Sequence, residues 1–121
     1  MLKILIVDDD AEIQEIFAYV IKKKGDEAIC VLSGEDLVSI IVKTKPAIII
    51  LDVMLRKYNG RDLCRELKVN PETANIPIIL TSANTSMLKD YEECNADEVI
   101  EKPFNLHDIY SKINKVLYSK A

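Results

Sequence analysis

Short apolar segments alternate with longer amphipathic segments along the whole chain. The apolar segments are of strand length and read LKILIV, EAICVL, AIIILDV, IPIILTS and DEVIEK. Apolar residues recur at helical spacing between them, and the first such series consists of Ile13, Ile16, Phe17, Val20 and Ile21. Five strands alternating with five helices predict a doubly wound α/β domain with a parallel central sheet, because parallel neighbours need crossover helices that cover both faces.

The predicted helices are not equally well defined. Gly25 ends the first helix, and Asp10 is better placed to cap its start than to bind a metal. The residues from about Ser86 to Cys94 have a weaker periodicity and are predicted as the fourth helix. The last helix has Asn105 as its predicted cap and an apolar face formed by Leu106, Ile109, Ile113 and Val116.

The composition describes an ordinary globular protein with a single domain spanning residues 1–121. Hydrophobic residues make up 49% of the chain and charged residues 30%, with a formal net charge of −4. The only basic run, Lys22–Lys24, lies at a predicted helix end, so direct nucleic-acid binding is not expected. Three cysteines without metal-type spacing predict reduced thiols, and no apolar segment is long enough to span a bilayer. We therefore predict a cytoplasmic protein that does not associate with membranes.

Polar side chains follow four of the five predicted strands. They are Asp8, Asp9 and Asp10 after the first strand, Asp52 after the third, Thr81 and Ser82 at the end of the fourth, and Lys102 after the fifth. The carboxyl ends of parallel strands meet at one edge of a sheet, where ligands of such folds bind. Several carboxylates, a hydroxyl and an ammonium group are therefore expected in one site.

The acidic residues of this site need a counter-charge. Two like charges about 4 Å apart repel by roughly 4 kcal/mol at an effective dielectric constant near 20. Oxygen ligands without histidine or cysteine favour Mg²⁺, and the single histidine, His107, is predicted to be a surface residue. An aspartate is a competent nucleophile towards phosphorus, while Lys102 and Thr81 offer a charge and a hydroxyl to phosphoryl oxygens. The pattern thus favours phosphoryl chemistry with a divalent cation.

These motifs resemble the receiver domain of two-component response regulators, including the single-domain chemotaxis type. The segments ILIVDDD, IIILDVMLRKYNG, IPIILTSA and EKPF stand in the order of that family and cover nearly the whole chain. The resemblance implies a flavodoxin-like fold with strand order 2-1-3-4-5. It also implies a switch that receives a phosphoryl group from a histidine kinase or a histidine phosphotransfer protein and then binds a downstream protein differently. Such a domain catalyses only its own phosphorylation and dephosphorylation.

The same resemblance implies a role for each acidic residue. Asp52 corresponds to the phosphoacceptor. The implied Mg²⁺ ligands are Asp9 directly, Asp8 usually through water, Asp52, and Met54 through its backbone carbonyl.

The resemblance assigns the remaining site residues and reveals two departures. Thr81 corresponds to the switch hydroxyl, Lys102 to the lysine that pairs with the phosphoryl group, and the Lys102–Pro103 peptide is implied to be cis. Arg56 stands where proline is common, and Val99 where an aromatic side chain usually couples to the switch threonine. The stretch from about Ser86 to Leu117 is implied to report phosphorylation to partners.

Two other functions remain open at this stage. Val99 leaves room for an interaction scaffold that keeps the receiver fold but works without phosphorylation. A Mg²⁺-dependent phosphohydrolase is disfavoured, because Val53 and Met54 follow Asp52 and no second acid stands there to act as a general acid.

Overall fold

A five-stranded parallel sheet forms the centre of the protein in a computed structural model that describes residues 1–118. The strands are β1 (Lys3–Val7), β2 (Glu27–Val31), β3 (Ile48–Asp52), β4 (Ile78–Ser82) and β5 (Glu98–Glu101). Their order across the sheet is β2-β1-β3-β4-β5, and every adjacent pair is parallel. The predicted fold class and strand order are therefore confirmed.

Four α-helices cover the two faces of this sheet, and they are α1 (Ala11–Lys23), α2 (Leu37–Thr44), α3 (Gly60–Val69) and α4 (Leu106–Tyr118). Side chains of the inner strands alternate between two apolar cores. Leu5 belongs to the core shared with α2 and α3, whereas Ile6 belongs to the core shared with α1 and α4. Burial on both faces explains why the central strands are almost wholly apolar in sequence. No helix among the described residues is long and apolar enough to cross a membrane.

The prediction of a fourth α-helix from Ser86 to Cys94 is wrong. Residues 84–95, called the crossover segment below, contain two 3-10 turns instead, at Thr85–Met87 and Tyr91–Cys94. Asp90 is left-handed with φ of 52° and interrupts any continuous helix, and Asn95, left-handed with φ of 65°, ends the second turn. Aspartate and asparagine tolerate this conformation and compete for local hydrogen bonds, so the segment favours turns over an α-helix.

Both predicted helix caps are present. Asp10 Oδ1 accepts hydrogen bonds from the backbone N–H groups of Glu12 and Ile13, at 2.9 and 3.4 Å. At the start of α4, Asn105 Oδ1 accepts from the backbone N–H of Asp108 at 2.8 Å, and Asp108 Oδ2 accepts from the backbone N–H of Asn105 at 3.2 Å. Asp10 therefore serves α1, as predicted, and is not among the clustered acidic residues described below.

Two residues predicted on apolar helix faces lie largely in solvent. Ile16 of α1 is 43% exposed and Leu106 of α4 is 46% exposed, whereas Phe17, Ile109 and Ile113 are buried. The Lys22–Lys24 run occupies the end of α1, next to Gly25 with φ of +85°. That position agrees with the predicted role at the negative end of the helix dipole.

Candidate functional site

Three carboxylates meet at the carboxyl edge of the sheet. Asp8 and Asp9 follow β1, and Asp52 ends the neighbouring strand β3. Each offers one oxygen atom, and the three atoms lie within 4.8 Å of one another. Asp8 is 1% exposed and Asp52 is 5% exposed, while Asp9 lies at the half-buried rim. The sequence-predicted convergence of these acids is therefore present in the structure.

A buried glutamine supports the chain at the end of β1. Gln14 Nε2 on α1 lies 2.9 Å from the carbonyl oxygens of Ile6 and Val31 and 3.1 Å from that of Asp8. Gln14 was not among the residues predicted to shape this site. The available signal was its position three residues before Phe17, on the apolar face of α1, where a polar side chain needs a partner.

The backbone around Asp52 is fixed by close packing against Gly60. The Gly60 N–H donates to the Val53 carbonyl at 2.8 Å, and a β-carbon on Gly60 would collide with the Asp52 carbonyl oxygen and the Val53 α-carbon. Glycine is therefore required here for close backbone approach. Its role was not predicted beyond the start of a helix.

Compared with water, the environment of Asp52 makes ionisation of its carboxyl group less favourable. Burial and the charge of Asp8 raise the pKa of the Asp52 carboxyl from an ordinary value of 3.8 to about 6, with a further contribution from Asp9. The Lys102 ammonium and the Met54 backbone N–H act in the opposite direction. Crowding of acids in a buried site thus costs free energy when no cation other than lysine is present.

Lys102 supplies the positive charge within this cluster. Its Nζ donates to Asp8 Oδ2 at 2.8 Å and lies 3.6 Å from Asp52 Oδ1. Burial alone would lower the pKa of Lys102, but the hydrogen bond to Asp8 and the charge of Asp52 raise it overall. The Lys102–Pro103 peptide that follows is cis, as the family resemblance implied.

Thr81 lies beside Asp52 in the paired strand. The register of β3 and β4 places these two residues opposite each other. The Thr81 hydroxyl is fully buried and has no hydrogen-bond partner among the described residues. A buried hydroxyl without a partner is costly, so this atom is available to a ligand that enters next to Asp52.

An open cleft of about 420 Å³ borders the rim of the site and is lined in part by Asp9, Met54, Arg56 and Met87. Arg56 Nε is 4.0 Å from Asp9 Oδ2, and the Arg56 side chain is 89% exposed, so this ion pair is weak. The Met54 side chain is also exposed, and coordination through its carbonyl stays a prediction.

The three acids fit a hard divalent cation. Their oxygen atoms are close enough to share an ion, and Mg²⁺ is bound by one or two carboxylates together with waters and phosphate oxygens. Among residues 1–118, this is the one group of three or more acidic, histidine or cysteine side chains with such spacing. This group contains neither His107, which is exposed, nor any of the three free cysteines.

Comparison with known proteins agrees with this arrangement. The family model described as the response regulator receiver domain matches residues 4–114. The chain belongs to the response regulator receiver domain family. A receiver domain is a signalling switch of phosphorelays and not a metabolic enzyme.

Solved structures of other receiver domains superpose on almost the whole chain. A putative response regulator from Chloroflexus aurantiacus shares 29% identity over 96% of this chain and 97% of its own, with a TM-score of 0.88. The signal receiver domain of a signal transduction histidine kinase from Syntrophus aciditrophicus shares 30% identity over 98% of this chain and 92% of its own, with a TM-score of 0.86. The chemotaxis protein CheY4 of Vibrio cholerae shares 24% identity over 97% of this chain and 99% of its own, with a TM-score of 0.88. At this identity the similarity supports the fold alone.

Proposed function

We propose that this receiver domain is a phosphorylation-dependent switch in which Asp52 accepts a phosphoryl group from a histidine kinase or a histidine phosphotransfer protein. The observation that carries the proposal is the grouping of three carboxylates, Lys102 and a partnerless Thr81 hydroxyl at one sheet edge. A buried hydroxyl without a protein partner next to Asp52 can donate to a phosphoryl oxygen placed there. Here the free hydroxyl and the excess of negative charge both suit an incoming phosphoryl group with a cation.

In the proposed reaction, an oxygen of ionised Asp52 attacks the phosphorus of a phosphohistidine. The new phosphorus–oxygen bond forms as the phosphorus–nitrogen bond breaks, and the electron pair of that bond stays on the imidazole. Because the pKa of Asp52 is about 6, the nucleophile is mostly ionised near pH 7.5. Lys102, already 3.6 Å from the Asp52 carboxylate, would pair with a phosphoryl oxygen, and the Thr81 hydroxyl would donate a hydrogen bond to another.

Asp8, Asp9 and Asp52, with the Met54 carbonyl, would hold the Mg²⁺ ion. When bound, Mg²⁺ supplies positive charge that offsets the acids and the phosphoryl oxygens. The protein residues orient the acceptor and restrict access, because Asp8 and Asp52 are buried while Asp9 lines an open cleft. Hydrolysis of the aspartyl phosphate by water would return the domain to its resting state.

Intact-mass spectrometry after incubation with Mg²⁺ and acetyl phosphate tests this proposal. The wild type should gain the mass of one phosphoryl group, and Asp52→Asn should gain none. Asp62→Asn is a matched control, because Asp62 is an exposed acid on α3 whose salt bridge is with the exposed Arg65. Labelling of Asp52→Asn to the wild-type extent would refute the assignment of the acceptor. No labelling of any variant would favour a scaffold that works without phosphorylation.

A further inference from the structure

One arginine fastens the crossover segment to helix α3. Arg61 Nη1 donates to the carbonyl oxygens of Met87 and Lys89 at 3.0 and 2.7 Å, and Nη2 donates to that of Asp90 at 3.1 Å. The ends of short helical turns leave carbonyl groups without partners in the turn. The planar guanidinium presents several donors at fixed angles, so one side chain can serve all three carbonyls.

This contact is a partly buried one. The Arg61 side chain is 18% exposed, and its counter-charge is the exposed Glu93 carboxylate at 3.9 Å. The carbonyls that it binds lie at the break between the two 3-10 turns, where Asp90 is left-handed. Leu88, within the break, and Cys94, at the end of the second turn, are buried in the apolar core. Arg61 therefore binds the backbone of a segment whose apolar side chains are held by packing.

The backbone of Arg61 is in turn fixed to the proposed acceptor. Asn59 Oδ1 accepts a hydrogen bond from the Arg61 N–H at 2.8 Å, and Gly60 packs on the Asp52 and Val53 backbone without space for a β-carbon. A shift at the end of β3 therefore displaces the first turn of α3 and the guanidinium that it carries. No flexible loop intervenes between Asp52 and Arg61 in this path of contacts.

Met87, whose carbonyl is bound by Arg61, lines the same open cleft as Asp9 and Met54. We propose that Arg61 is a positioning residue that couples occupation of Asp52 to the conformation of the crossover segment. The coupling rests on the proposed function of Asp52, and it requires the forked donors of arginine rather than its charge alone.

Hydrogen exchange measured by mass spectrometry tests the coupling directly. The probe is beryllium fluoride with Mg²⁺, which forms a tetrahedral phosphoryl mimic on a carboxylate. Exchange is followed in peptides covering residues 7–10, 52–56 and 84–95, with and without the probe. The variants are Arg61→Met, Arg61→Lys and the control Arg65→Met. Arg65 lies one turn further along α3, is 49% exposed and pairs with Asp62.

Without the probe, Arg61→Met should exchange at least roughly tenfold faster than the wild type in residues 84–95, because hydrogen bonds to a charged donor are lost. When the probe binds, the rate of hydrogen exchange in residues 84–95 should change in the wild type and in Arg65→Met. Arg61→Met should keep protection at residues 7–10 and 52–56 but lose the response at 84–95. Arg61→Lys keeps the positive charge but lacks the planar set of guanidinium donors. The change in exchange at residues 84–95 on binding of the probe should therefore be smaller in this variant than in the wild type.

Two results would overturn the inference in distinguishable ways. If the wild type gains no protection at residues 52–56, the acceptor role of Asp52 fails and the coupling that rests on it fails too. If Asp52 is protected but Arg61→Lys and Arg61→Met respond at residues 84–95 as the wild type does, the function stands and the role of Arg61 is refuted. Should Arg61→Met not fold, Arg61→Lys decides the matter by the same comparison.

Discussion

Replacing Asp52 by asparagine should stabilise the metal-free protein. The rise of the Asp52 pKa from 3.8 to about 6 means that folding disfavours its ionised form by roughly 3 kcal/mol at 1.36 kcal/mol per unit. A raised carboxyl pKa gives a penalty that is fully present above the folded value and disappears below the unfolded value. Asparagine keeps the shape and carries no charge, so Asp52→Asn should remove most of this penalty at pH 7.5.

Urea unfolding followed by circular dichroism in EDTA measures this effect. We expect Asp52→Asn to be more stable than the wild type by up to roughly 3 kcal/mol at pH 7.5 and by only about 0.5 kcal/mol at pH 4, from the same two pKa values. Asp62→Asn, at an exposed site, should change stability little at either pH. Equal stability of Asp52→Asn and wild type at pH 7.5, or a difference that does not shrink on acidification, would refute the reasoning.

Three further substitutions test the packing and charge around the sheet. Lys102→Met should destabilise the protein by about 3 kcal/mol in urea unfolding, because it leaves buried Asp8 without its charged partner, and an unchanged midpoint would contradict this. Gly60→Ala should lower both the melting temperature and the labelling of Asp52 by acetyl phosphate, because the added carbon collides with the backbone of Asp52 and Val53. Wild-type values of both would show that the backbone moves to make room for this carbon. Glu98→Gln should destabilise the protein at pH 7, because two lysines of α4 lower the pKa of this buried carboxyl despite its burial. The difference should shrink as the pH falls below 4.5, and one that persists there would exclude the ion pairs as its cause.

The sequence predicted the sheet and the acidic cluster because both depend on short-range patterns and one topological rule. Apolar strands show where the chain is buried, and parallel strands bring their carboxyl ends to one edge. Asp8, Asp9, Asp52, Thr81 and Lys102 could therefore be placed together without coordinates. The roles assigned to them remain proposals, because position alone does not show which group reacts.

The features that were not predicted from the sequence depend on contacts that leave no local pattern in it. Arg61 binds main-chain carbonyls 26 to 29 residues away, and a carbonyl has no sequence identity to recognise. The stretch from about Ser86 to Cys94 was predicted as a helix from a weak periodicity between two strands, and its turn-forming residues prevailed in the structure. Glu98 was not singled out either, although a signal was available: it stands two residues before Ile100, and strand alternation puts both side chains on the same inward face.

The position of Glu98 limits how the last helix can move. Glu98 starts β5, far from the carboxyl edge, and its carboxylate lies 3.1 Å from Lys112 Nζ and 2.8 Å from Lys115 Nζ. Translation of α4 along β5 would break both ion pairs and leave the buried Glu98 carboxylate without a counter-charge. Rotation of the amino end of α4 about these ion pairs would preserve them. We therefore expect α4 to rotate about its contacts with Glu98 and not to slide. Its displacement should then be smallest near Lys112 and Lys115 and largest at its amino end, near Leu106.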